Sequence, residues 1–412
     1  MIYLNQNMES VNYINLISFS NYIYGVAVEG ITDLPLHSGA VPEWLYRYME
    51  RLGRAILRVL VEEFGASEVV RRFSDPLWFQ AFNNVIGMDW DSSGSTTVVL
   101  RVLKNVSWSE DLGFLVIGGK GAESRKIPEE GPVAAKRLGL GEDWGREIQR
   151  ISYIGGKVDG VLLQDGHSIY IHGVIVSSDG SWTIIQQGMN IDRGYARRYH
   201  ISNASFKNLP LDPHAGVASN SILKPLNLVD RDSMETIKTI EDLISQGALK
   251  IIRDIALVDA CIRGRKTLIG DPCRGVKREF SVGYYKPVKI DRLLINTINR
   301  IQLKGARKII DLLGIRGLGP ETMRALTLVA DLIYGYTPSN RDVVSHPIDP
   351  FKYSYAHGGK DGVPYRVRRD LIERTIITLE EAVERAKLGD REKIESLKRI
   401  SKFASLVLGN RS

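Results

Sequence analysis

The segment ARKIIDLLGIRGLGPETMRALTLVADLIYG, residues 306–335, restricts the fold of this chain more than any other. Two apolar runs at helical spacing are separated by Gly314, Gly317 and Gly319, and the second run opens on Pro320. Glycine has no Cβ, so Gly317 and Gly319 permit a sharp turn and close approach to a ligand, while Pro320 suits a first helical turn, where its missing N–H goes unused. The spacing predicts a helix over Ala306–Leu313, a tight turn, and a second helix from Pro320. Leu318 is then the residue that plugs between the two, with Ile309, Ile310, Leu313, Ala325, Leu326 and Val329 around it. In that arrangement the N–H groups of Gly319, Glu321 and Thr322 point outward at the positive end of a helix dipole, an arrangement that suits a phosphate. An ordinary helical hairpin with a glycine corner satisfies the same pattern without any ligand.

Charge separates the two readings. Residues 286–336 hold nine Lys or Arg against four Asp or Glu, a net +5, whereas the whole chain carries 55 against 48, a net +7. The excess is therefore concentrated around the turn, as a polyanion partner would require. The order of glycine, apolar residue, glycine, then a helix with Ala on its apolar face resembles the helix-hairpin-helix of DNA repair enzymes, recombination proteins and polymerases. That resemblance implies DNA as partner, held by its backbone and not by its bases. Lys308, Arg316, Gly317, Gly319, Thr322 and Arg324 are the expected contacts.

At 412 residues and 43% hydrophobic content the chain is long enough for more than one core. The composition and pattern indicate an α+β fold: an N-terminal extension over 1–24, an α+β domain with a short antiparallel sheet over 25–225, and a mainly helical domain over 226–336. A loop and closing helices over 337–412 complete it. Only Cys261 and Cys273 are present, too few for a four-cysteine zinc site and fewer than a secreted disulfide framework normally uses. A reducing, cytoplasmic setting is expected. No apolar run reaches about 18 residues and the N-terminus lacks the basic stretch of a signal peptide, so neither a membrane span nor export is expected.

In the N-terminal part, apolar periodicity predicts helices over Val41–Phe64, after Ser74-Asp75-Pro76, and over Thr96–Lys104, with a strand over Leu112–Ile117. GGKGAESRK, residues 118–126, follows that strand, and Lys120, Arg125 and Lys126 in it suit phosphate contact. It lacks the Lys-Ser/Thr pair and glycine spacing of a nucleotide loop, so no nucleotide cofactor is expected. Residues Lys157–Gln187 read as a β-meander with turns at Asp165-Gly166 and Asp179-Gly180. ARRYH after it offers Arg197, Arg198 and His200 for backbone contact. The meander's Asp159, together with Asp75 and Asp89 at element ends, supplies candidate catalytic carboxylates. Asp89 and Asp159 are the candidate ligands for magnesium or manganese in a metal-dependent nuclease. Gln186 and Gln187 stand where such enzymes usually place Glu and Lys. Asp342, beyond the hairpin, matches the catalytic Asp of helix-hairpin-helix glycosylases, although Glu321 replaces the Lys of bifunctional members. Three functions follow: a nuclease of DNA repair or processing, a DNA glycosylase, or a non-catalytic DNA-binding protein.

Several further motifs occur in order: ITDLPLHSGAVPEWL, SDPLWFQAF, DWDSSGSTT, GGKGAESRK, KVDGVLLQDG, QQGMN, ARRYH, the hairpin and YAHGGKDGVPY. Together they resemble a prokaryotic family known as domain of unknown function 763, over a stretch from near Gly25 to about Thr375. The resemblance implies an origin among archaea and thermophilic bacteria, and a tie to DNA metabolism only through the hairpin. The chain departs from the family pattern at Ser38, where a second Gly is usual, and at Asp91, where His is usual.

Overall fold

Pro42 precedes the first helix and Gly65 kinks it, and many of the other elements begin or end where proline, glycine or a capping side chain allows. The computed structural model describes residues 41–88, 93–141, 143–219, 221–265, 282–345 and 369–386. The elements are α1 (Glu43–Phe73), α2 (Pro76–Val85), α3 (Gly94–Ser109), β1 (Phe114–Lys120), α4 (Ile127–Arg137), α5 (Trp144–Lys157), β2 (Leu163–Gln164), β3 (Ser168–Ser177), β4 (Trp182–Asn190) and β5 (Tyr195–Ser202). They continue with α6 (Asn203–Phe206), β6 (Gly216–Ala218), β7 (Leu226–Asn227), α7 (Met234–Ile244), α8 (Ala248–Ile262), α9 (Arg292–Lys304), α10 (Ile309–Leu313), α11 (Pro320–Leu332) and α12 (Arg369–Ala386). The fold is α+β, with a small antiparallel sheet and helices throughout the C-terminal part. Among the described residues no helix is long and apolar enough to cross a membrane.

Two compact units divide the described chain, one over 41–145, 173–183 and 369–386, the other over 146–172 and 184–345. The boundary expected near Pro225 falls inside the second, and β3 and β4 are each shared between the two.

In the first unit, α1 buries Leu45, Met49, Leu52, Leu57 and Leu60, the stripe its periodicity indicates. Gly65, at φ 81° and ψ 159°, leaves helical geometry, yet the helix resumes to Phe73, so the expected stop is a kink. Leu52, Ala55 and Val59 pack against Ile372, Ile376 and Leu379 of α12. Asp75 caps α2: its Oδ1 accepts from the N–H of Leu77 at 2.7 Å and of Trp78 at 3.4 Å, and Pro76 fills the first turn. The candidate catalytic Asp75 is thus occupied by helix capping. β1 lies beside β3.

In the second unit β5 follows β4 and pairs antiparallel with β6 through Arg198 opposite Ala218 and Tyr199 opposite Val217. Here the structure corrects the meander. KVDGVLLQ does not open it as a strand: α5 continues as a π-helical turn over Val158–Leu162, and only Leu163–Gln164 is extended, pairing with β7. A π turn inserts one extra residue and redirects the side chains after it. Gly155 lets α5 press onto β4, since a Cβ there would lie 2.6 Å from Ile184 Cδ1. α11 is buried on nearly every side, through Met323, Ala325, Leu326, Leu328, Val329 and Ala330, and packs against α7 and α8. Cys261 on α8 is disulfide-bonded.

The capping role of Asp75 leads to a first expectation. Asp75→Ala lowers unfolding stability by about 1 kcal/mol, read from the urea midpoint, and does nothing else. Any loss of a nucleic-acid activity at unchanged stability would return Asp75 to the catalytic candidates.

Candidate nucleic-acid interface and buried polar centre

The turn between α10 and α11 has the shape its glycines call for. Gly317 adopts φ 96°, the left-handed region that side chains avoid, and a Cβ on it would meet Thr297 Oγ1 at 3.1 Å and the Arg300 guanidinium at 2.9 Å. Leu318 is 1% exposed and fills the space between the helices. Gly319 is extended, at φ −127° and ψ 179°, with open space where a Cβ would stand. Leu318 N–H is satisfied by Ile315 O at 3.1 Å and Met323 N–H by Gly319 O at 3.2 Å. Among the described residues the N–H groups of Gly319, Glu321 and Thr322 have no partner. They are the donors a helix leaves open at its start. The first helix is shorter than predicted, Ile309–Leu313, because Asp311 turns back to accept from Lys308 N–H at 3.0 Å and fixes the start there.

The side chains expected around this turn divide. Arg316 is exposed, and its side chain makes no hydrogen bond or ion pair among the described residues. Lys308 is exposed but its ammonium sits 2.9 Å from the Glu241 carboxylate, whose hydrogen bond raises the Lys308 pKa. Thr322 is buried, so its side chain is not offered to a ligand. Arg324 is a correction: at 3% exposure it points inward, donating to Lys286 O at 2.6 Å, to Tyr284 O and Pro287 O at 3.3 Å, and to the Glu321 carboxylate. It pins the segment 284–287 and does not face a ligand.

Two contacts at the turn were not legible in the sequence. Lys157, the last residue of α5, donates to Leu318 O at 2.6 Å, and Gln164 Nε2 donates to Pro320 O at 2.9 Å. Burial lowers the Lys157 pKa. These two residues flank the π turn that carries Asp159.

Asp159 is fully enclosed. Its Oδ1 is 2.6 Å from His214 Nε2, and its Oδ2 accepts from Gln186 Nε2 at 2.5 Å. Gln186 Nε2 also donates to Gly155 O at 3.1 Å, so the amide oxygen is left to face His172 Nδ1 at 2.8 Å. His172 therefore carries its proton on Nδ1, and its Nε2 accepts from Ser152 Oγ at 2.8 Å. Burial raises the Asp159 pKa, the charge and hydrogen bond of His214 oppose it, and nearby Asp165 adds to the rise. Burial also holds His172 below the usual histidine value. His214 ends the chain of bonds, its side chain 9% exposed. An Asp–His pair of this kind can take or give a proton at the imidazole.

Beside it lies a second buried group. Asp165 Oδ2 accepts from Arg197 Nη1 and from Tyr199 Oη, both at 2.7 Å. Burial alone would raise Asp165, but the His167 hydrogen bond, the Arg197 charge and the Tyr199 hydroxyl bring it down to about 2. Arg197 also reaches Asp342 Oδ2 at 2.9 Å and Ser221 O at 2.8 Å. Asp342 accepts in addition from the N–H groups of Leu223 and Val344.

Several expectations change as a result. Arg197, Arg198 and His200, expected to contact a DNA backbone, form strand β5 and are 0% exposed, and Arg197 is drawn inward by two carboxylates. Both oxygens of Asp342 have partners, Oδ2 in Arg197 and the Leu223 N–H and Oδ1 in the Val344 N–H, so its carboxylate holds Arg197 and two backbone amides. Asp89 lies outside the described residues. Among those described, no group of three or more His, Cys, Asp or Glu could hold a metal ion. In the first unit, Gly118 N–H donates to the Glu130 carboxylate at 2.7 Å, so an internal anion already occupies that part of GGKGAESRK. Lys120 and Arg125 there are exposed, and Lys126 pairs with Glu123 at 2.6 Å.

A family model described as Protein of unknown function (DUF763) matches residues 30–367. The chain belongs to the DUF763 family. No curated protein and no solved structure matches it. In this DUF763 protein the hairpin turn and the Asp159 and Asp165 groups all lie within the matched stretch and within the second compact unit.

The Arg197 bridge can be checked by stability. Arg197→Met leaves two carboxylates buried without a counter-charge and is expected to cost about 3–5 kcal/mol. Asp165 is held below its unfolded value near 3.9, so its contribution is present above that pH and is lost as pH falls toward 2. Unfolding free energies from urea titrations should therefore fall by about 2 kcal/mol more between pH 5 and pH 2 in the wild type than in Asp165→Asn. Parallel curves would show that Asp165 is not the group responsible.

Proposed function

We propose that this protein binds DNA in repair or processing, holding the phosphate backbone without reading sequence through a helix-hairpin-helix at residues 307–335. One observation carries the reading: the N–H groups of Gly319, Glu321 and Thr322 start α11 without partners, at a turn whose outer side has room for a phosphate. The seated Leu318, the exposed Arg316 and the net +5 over 286–336 support it. Contacts of this kind position a duplex and carry no base information.

A second reading, a hydrolytic role in DNA processing, is favoured by the Asp159–His214 pair. A general base of this type removes a proton from water as it attacks. A magnesium or manganese ion at Asp159 would have to displace His214 or Gln186 from the carboxylate. The glycosylase reading has no comparable support, since Asp342 is held by Arg197.

The test separates binding from folding. Gly317→Val is unsuitable, because φ 96° and the contact with Thr297 would strain the turn. Gly319→Leu is accommodated by extended backbone and open space. It should leave stability within about 0.5 kcal/mol of wild type while lowering affinity for a labelled duplex at least about tenfold. Arg316→Ala should reduce the slope of log K against log salt by about one. Wild-type affinity in both variants would sink the hairpin reading.

A further inference from the structure

The exposed face of α5 has a composition that the hairpin reading leaves unused. Arg146, Arg150, Tyr153 and Lys157 follow one another at steps of four, three and four residues, which places them on a single stripe of the helix. Arg146 and Arg150 are exposed, and Tyr153 is 46% exposed, so its ring is open to solvent among them. Arg150 pairs with Glu147 at 2.7 Å, a surface contact of small worth that a phosphate can replace. The stripe ends at the hairpin. The Lys157 ammonium lies 5.5 Å from the centre of the Tyr153 ring and 2.6 Å from Leu318 O. A single ammonium thus connects the aromatic ring to the turn whose next residues are Gly319 and Pro320.

Alternating basic and aromatic side chains along one face are how proteins track a single strand: cations follow the phosphates while rings stack on bases that are not paired. A duplex cannot use Tyr153 in this way, because its bases are already stacked on one another. From Arg146 to Lys157 the stripe runs about 16 Å at the 1.5 Å rise of a helix, the span of a few nucleotides of an extended strand. Resting on the hairpin reading above, we infer that α5 receives an unpaired DNA strand running on from the backbone segment held at the hairpin, with Tyr153 as the stacking platform. The favoured substrate is a junction between duplex and single strand.

The experiment compares fluorescence anisotropy of three labelled DNAs, a blunt duplex, a single strand and a duplex with a single-stranded overhang, for wild type, Tyr153→Ala and Tyr153→Trp. Wild type binds the overhang duplex more tightly than the blunt one. Tyr153→Ala weakens the overhang duplex and the single strand about tenfold and leaves the blunt duplex unchanged, while Tyr153→Trp restores binding and its indole fluorescence is quenched by the single strand. Equal loss on all three DNAs, or no loss on any, overturns the single-strand track while leaving the hairpin in place. Absence of binding to every DNA by the wild type overturns the hairpin reading and this one together.

Discussion

Burying Asp159 and Asp165 in one interior is the constraint around which the second unit is organised. A carboxylate taken out of water costs several kcal/mol unless hydrogen bonds and counter-charges replace its hydration. The replacements come from positions far apart in the chain: Gln186 from β4, Arg197 and Tyr199 from β5, His214 from the loop before β6, and Asp342 from beyond α11. The two carboxylates therefore tie several strands and loops to the stretch that runs from the π turn through β2. The sheet and the helices of this unit are joined by paired charges as well as by apolar contact. Leu163, Tyr199 and Val217 form a small apolar cluster directly on this network.

The same stretch that carries the two carboxylates also reaches the hairpin. Lys157 and Gln164 hold the carbonyls of Leu318 and Pro320 from outside, while Leu318 holds the turn from within. A turn fixed from both sides loses little freedom on meeting an anion, so more of the contact energy is available for binding. The two hydrogen bonds are each worth about 1 kcal/mol to the fold. Their larger consequence is positional, because they keep the N–H groups at the start of α11 pointing the same way. The hairpin and the Asp159 centre are thus two ends of one local structure, although only the hairpin carries the binding proposal.

Much of the local structure could be read in advance, and the reason is periodicity. The apolar stripe of α1, the cap at Asp75, the turn at Gly317 and the seat of Leu318 depend on residues within a few positions of one another. What failed depends on distant partners. VDGVL alternates well enough for a strand, and nothing nearby says that Asp159 will be drawn to His214 in the loop before β6. ARRYH looks like a basic surface turn until Asp165 and Asp342 are brought to it. Arg324 looks like a phosphate contact until the carbonyls of 284–287 are placed over it. Of the candidate site, the glycines and Arg316 were legible; Lys157 and Tyr153 stood at helical spacing in α5, but their neighbour at Leu318 could not be seen.

The account is tested most directly by backbone amide resonances of the protein, labelled with nitrogen-15, as a short DNA duplex of arbitrary sequence is added. Hydrogen bonds to phosphate should move the amides of Gly319, Glu321 and Thr322 downfield together, by the same amount for two duplexes of unrelated sequence, while the amides of β5 stay in place. Shifts that leave these three unmoved, or that depend on the base sequence, would contradict a hairpin that grips the DNA backbone.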